Sequence, residues 1–202
     1  MSRPKSATVW LAGCSGCHMS FLDLDEWLIE LAALTDIVYS PFVDAKTFPD
    51  QVDMTLVEGA VSNEENLALI RTIRARSRLL IAFGDCAVTG NVTAMRNTAG
   101  GAAAAIERGY GSDSRPWSIA GGSAPEATLE SAVERTTEFG PRTSLPLVVP
   151  HLLPRALPVH HVVPVDGFLP GCPPPAGRIR AMLELVLRGD RPILSGPDIR
   201  FG

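Results

Sequence analysis

Apolar runs and helical stripes alternate along the first half of the chain, the pattern of a parallel sheet flanked by helices. Thr8 to Leu11 reads as a short buried strand and Gly13 to Gly16 as a turn. Phe21 to Leu34 reads as a helix, with Phe21, Leu24, Leu28, Leu31 and Ala32 on one stripe. Asp36 to Tyr39 begins a second strand that stops at Pro41, and Val52 to Val57 makes a third. Asn63 to Arg76 follows as a helix capped near Ser62, with Glu65 three residues on, and Arg78 to Phe83 is a fourth strand. These are two βαβ units with right-handed crossovers, so the fold class is α/β with an open parallel sheet.

From Asn97 to Leu145 the pattern dissolves into Gly, Ala, Ser and Pro, with one short helix at Pro125 to Phe139. A long, weakly patterned stretch in a compact domain usually covers a site or meets a partner. Regularity returns at His160 to Val165, a fifth strand, and after DGFLPGCPPPAG the chain ends in a helix from Arg178 to Leu187. No internal repeat occurs, and residues 1 to 202 read as one domain with an insertion at about 97 to 145.

Hydrophobic residues make up 46% and charged residues 20%, a composition that builds a core without cross-links. With 18 Lys and Arg against 22 Asp and Glu, the formal charge of -4 argues against nucleic acid as a partner. The most apolar stretch, Leu145 to Val165, holds Pro146, Pro150, Pro154, Pro158 and Pro164 and so cannot be a spanning helix. The basic start runs directly into a strand, with no signal-like apolar segment and no twin-arginine pair, which points to the cytoplasm and no membrane.

In that reducing compartment cysteines are kept for metal or redox work. The chain has four: Cys14, Cys17, Cys86 and Cys172. Cys14 and Cys17 follow the first strand, Cys86 the fourth and Cys172 the fifth, so all fall on the carboxyl rim of the sheet, where ligands of open α/β sheets bind. Four thiolates make one complete ligand set for a single cluster. Gly13, Gly16, Gly84 and Gly171 accompany them, letting the backbone approach an inorganic core and its N–H groups bond sulfur. A zinc site would want a second closely spaced pair. A dithiol or sensor module would use the Cys14/Cys17 pair alone, at a helix N-terminus, and leave the other two unexplained.

The segments LAGCSGCHMSFLDLDE (11 to 26), LVEGAVSNEEN (56 to 66), FGDCAVTGNVTAMRN (83 to 97) and LPGCPPPAGRI (169 to 179) resemble the small, electron-transferring subunit of nickel-iron hydrogenases, most of all its soluble NAD-reducing branch. The resemblance runs from Thr8 to about Leu187. It implies a flavodoxin-like domain in which Cys14, Cys17, Cys86 and Cys172 bind the proximal [4Fe-4S] cluster. It also implies two kinds of partner, a large subunit carrying the nickel-iron site and flavin and iron-sulfur (diaphorase) subunits that reduce NAD. The chain would then conduct electrons and hold no hydrogen-splitting residue of its own. The related subunit of NADH:quinone oxidoreductase shares the EG, GxC and GCPP elements, but its first cysteines are adjacent, whereas Cys14 and Cys17 are separated by two residues.

Glu58 matches the EG element and should project onto the cysteine rim, where a carboxylate is costly unless paired. His18 is expected to bond a cluster sulfur, face the large subunit or sit at the surface. Asp85, Thr89 and Asn91 are candidates for polar contacts around the site. His151, His160 and His161 lack ligand spacing, and Trp10, Trp27 and Trp117 read as core or interface anchors. FMN is not favoured, because the first strand-to-helix loop, which would cradle its phosphate, is taken by Cys14 to Cys17.

Overall fold

A computed structural model describes residues 3–110, 150–194 and 196. The helix expected at Pro125 to Phe139, and Trp117, lie outside them. Five strands, β1 (Lys5–Trp10), β2 (Asp36–Tyr39), β3 (Val52–Glu58), β5 (Ser77–Phe83) and β7 (Gly167–Leu169), form one parallel sheet in the order β2-β1-β3-β5-β7. Counted within that sheet alone, the order is the flavodoxin-like 2-1-3-4-5, with its switch point between β1 and β3.

Alternation along the inner strands sends apolar side chains to both faces, the mark of a sheet covered on both sides. Leu80 and Ala82 of β5 join Val9, Val57, Ile70 and Ile73 on one face, beneath α3 (Glu64–Arg76). Ile81 and Phe83 join Leu56, Phe21, Leu31 and Met182 on the other. That second face lies under α1 (Gly16–Leu22), α2 (Trp27–Leu34) and α7 (Ala176–Leu187). The α3 cap sits one residue later than expected, because the Asn63 side chain accepts from the Asn66 N–H at 2.7 Å.

Local geometry changes three of the expected elements. The single helix at Phe21 to Leu34 is two helices, broken where Asp25 takes a left-handed φ of 50° among Asp23, Asp25 and Glu26. The strand expected at His160 to Val165 is a 3-10 turn at Val159–His161, and the fifth parallel strand is instead β7. Pro158 sets up that turn, its carbonyl accepting the His161 N–H, and Pro164 has no N–H to give a ladder. Beside the main sheet, β4 (Val61–Asn63) and β6 (Leu152–Leu157) form an antiparallel ribbon that sequence periodicity did not announce, β4 being three residues long and β6 interrupted by Pro154.

Three further helices follow β5: α4 (Asp85–Thr89), α5 (Asn91–Thr98) and α6 (Gly101–Tyr110). The last lies in the Gly- and Ala-rich stretch where no periodicity predicts an element. Arg96 and Asn97 of α5 fasten the ribbon, Arg96 donating to the Ser62 and Leu153 carbonyls and Asn97 pairing with both backbone groups of Ala156.

Candidate iron-sulfur site

Parallel pairing brings the carboxyl ends of β1, β3, β5 and β7 to one rim, and the loops leaving them are bonded to one another beyond the strands. Ala12 and Ala60 exchange both backbone hydrogen bonds, at 3.1 and 2.7 Å, joining the loops after β1 and β3. Asp85 joins the other two: its N–H donates to the Gly171 carbonyl at 2.9 Å, and its Oδ1 accepts from the Gly171 N–H at 2.6 Å. Ser20 of α1 donates to the Pro174 carbonyl at 2.6 Å, closing the first loop onto the last.

These loops carry all four cysteines to one place. Each of the other three thiols, together with Glu58, lies close enough to push the Cys17 thiol upward, adding to the larger effect of its burial. Burial also raises Cys86, partly offset by hydrogen bonding from Thr93. Cys17 and Cys86 are buried, Cys14 and Cys172 exposed, and all are free thiols. Cys14 accepts a hydrogen bond from the Gly16 N–H at 3.4 Å, and Cys172 one from the Asn91 amide at 3.3 Å.

The glycines act mostly through what they lack. A Cβ on Gly84 would fall 2.1 Å from the Cys17 sulfur, and one on Gly16 would fall 3.2 Å from the Cys14 sulfur. Gly84 and Gly171 also hold φ values of 81° and 139°, which disfavour side chains. Only Gly16 spends its N–H on sulfur as anticipated; the Gly84 N–H goes to the Leu169 carbonyl and that of Gly171 to Asp85. Gly13 instead packs against Gly59, whose Cα a Cβ there would meet at 3.3 Å.

Glu58 ends β3 at the rim, as expected, and its cost of burial is met by His18. Both the backbone N–H of His18, at 2.9 Å, and its ring Nδ1 bond Glu58 Oε2, with the two side chains each 2% exposed. His18 does not face outward but lies edge-on between Phe42 and Phe83, its Nδ1 taken up by Glu58. Thr89 turns its hydroxyl to the Asp85 carbonyl and away from the site. Asp85 is the clamp that residue spacing alone understated, a buried carboxylate reaching 86 positions along the chain.

Among the described residues no three His, Cys, Asp or Glu side chains are gathered tightly enough to hold one metal ion. A cube with one thiolate on each iron corner asks for a wider set, and two buried and two exposed sulfurs in a cradle free of Cβ atoms, with N–H donors, fit that group. Burial and the neighbouring thiols favour the protonated forms of Cys17 and Cys86, and a cationic core would take the protons' place.

Comparison with known proteins places the chain beside others of this architecture. The family model described as NADH ubiquinone oxidoreductase, 20 Kd subunit, matches residues 14–186. The delta chain of the NAD-reducing hydrogenase HoxS of Cupriavidus necator is 34% identical over 92% of this chain and 79% of its own length. The iron-sulfur subunit of the F420-non-reducing hydrogenase of Archaeoglobus profundus is 30% identical over 93% of the chain, which spans only 57% of that relative. A chain in the crystal structure of an NAD+-reducing [NiFe]-hydrogenase in the H2-reduced state superposes with a TM-score of 0.78 at 34% identity, covering 99% of each chain.

Proposed function

Because the chain belongs to the family of the NADH ubiquinone oxidoreductase 20 kDa subunit, with hydrogenase small subunits among its relatives, we propose that it is the electron-transferring small subunit of a cytoplasmic NAD-reducing nickel-iron hydrogenase. Cys14, Cys17, Cys86 and Cys172 would hold one [4Fe-4S] cluster, and no flavin is assigned to the chain. The observation that carries this reading is the set of four thiols brought to the carboxyl rim beside glycines whose Cβ atoms would occupy the same space. A cluster there supplies a one-electron relay between a nickel-iron large subunit and the flavin and iron-sulfur subunits that reduce NAD+.

The chain's own residues define the surroundings of that relay. The Gly16 and Asn91 N–H groups favour negative charge on sulfur. The Glu58 and His18 pair fixes the backbone between Cys17 and the end of β3. Trp10, Met19, Leu22 and Phe42, each 40% to 48% exposed, surround the end of the sheet that bears Cys14 and offer an apolar face on which a large subunit excludes water. A dithiol module using Cys14 and Cys17 alone leaves Cys86 and Cys172, gathered at the same rim, without a role.

The test is affinity purification of the tagged chain from its own cells without oxygen. A nickel-containing partner and a flavin-containing partner should co-elute with it, and recovery of the chain alone with a reactive dithiol would reject the reading.

A further inference from the structure

Asn91 is one of four non-glycine residues with positive φ among the described residues, at 32°, directly after Gly90 at 87°. Two successive residues of positive φ turn the chain sharply from α4 into α5, a conformation asparagine tolerates better than most side chains. The N-cap of α5 is Gly90, which has no side chain, and Asn91 is the first helical residue. It points Nδ2 at the sulfur of Cys172, 81 residues away, at 3.3 Å. A thiolate can only accept, so the amide nitrogen is the end that faces it.

The two exposed sulfurs of the site each receive an N–H, Cys14 from the backbone and Cys172 from a side chain. Val92 and Met95, on the same helix, are 50% and 68% exposed. A partner covering these residues would dry the amide-sulfur bond and strengthen it.

We infer that Asn91 sets the reduction potential of the cluster by donating its amide N–H to Cys172 Sγ. This rests on the four-cysteine reading of the site. Reduction adds one negative charge shared with the thiolates, and an N–H dipole aimed at sulfur stabilises that state most. A hydrogen bond of ordinary net strength then shifts the electron-acceptance equilibrium by roughly two- to tenfold.

The experiment compares the anaerobically purified complex with Asn91→Gly and Asn91→Asp forms. Asn91→Gly removes the donor while suiting the positive φ, and Asn91→Asp keeps the shape but offers only acceptors. Iron and acid-labile sulfide are counted first, then a redox titration is followed by electron paramagnetic resonance. Both variants should keep the parent's iron, titrate at more negative potential and show altered g-values, with the larger shift in Asn91→Asp. An unmoved potential at full iron content overturns the inference and leaves the cluster reading standing. Loss of iron in Asn91→Gly also overturns it, because the residue would then be holding the site together. A parent complex without iron overturns both.

Discussion

At the scale of single residues, the site depends on atoms that are missing as much as on those present. A methyl group at Gly84 would sit 2.1 Å from the Cys17 sulfur at a φ of 81°, so Gly84→Ala should reduce bound iron to the level of a Cys17→Ser form. Gly177 is the contrast: nothing lies within 4 Å of a Cβ there and it lies in helix α7. Gly177→Ala should leave iron unchanged and add about 0.4–1 kcal/mol of stability. Removing the Glu58 carboxylate strands two buried donors of His18. Glu58→Ala should therefore cost roughly 2–4 kcal/mol, read as several degrees of Tm on the anaerobic complex, with Glu58→Gln losing less because one acceptor oxygen remains. The cysteines were legible because thiols are scarce and lie at strand ends. The His18–Glu58 and Asp85–Gly171 bonds were not, since partners 40 and 86 residues apart leave no local period.

At the scale of elements, periodicity served where one rule decided the outcome. β2 falls on the expected residues, and β3 and β5 lie within a residue of theirs, the last two because buried parallel strands read as plain apolar runs. The fifth strand was displaced because proline overrides apolar composition: the run around His160 is turned by Pro158, and the ladder resumes only at Gly167. That displacement moves the strand end closer to Cys172 and so strengthens the case for one rim. Helix α3 permits a direct check of element energetics. Asn63→Ala should cost about 1 kcal/mol by loss of its cap, and Ile70→Ala, at a site with 0% exposure, about 2–5 kcal/mol. Denaturant unfolding of the two variants should rank them in that order, and equal losses would mean that α3 is held mainly by its ends.

At the scale of the whole molecule, the fold gathers sulfur at one end of a parallel sheet and leaves half-exposed apolar side chains around it. Phe42 packs edge-on against His18 yet is 48% exposed, which suits a residue shared between the site and a partner. Phe42→Asp should leave the iron of the chain intact while sharply reducing recovery of the nickel-containing partner, measured by quantitative mass spectrometry of the purified complex. No helix of the described residues is long and apolar enough to cross a membrane. The central claim is that the sulfurs of residues 14, 17, 86 and 172 bind one inorganic cube, and elemental analysis of anaerobically prepared protein tests it most directly. The prediction is about four iron and four acid-labile sulfides for each copy of this chain beyond those carried by its partners, all lost when any one of the four cysteines becomes serine. One zinc per copy, or an iron count that the four serine substitutions leave unchanged, would contradict it.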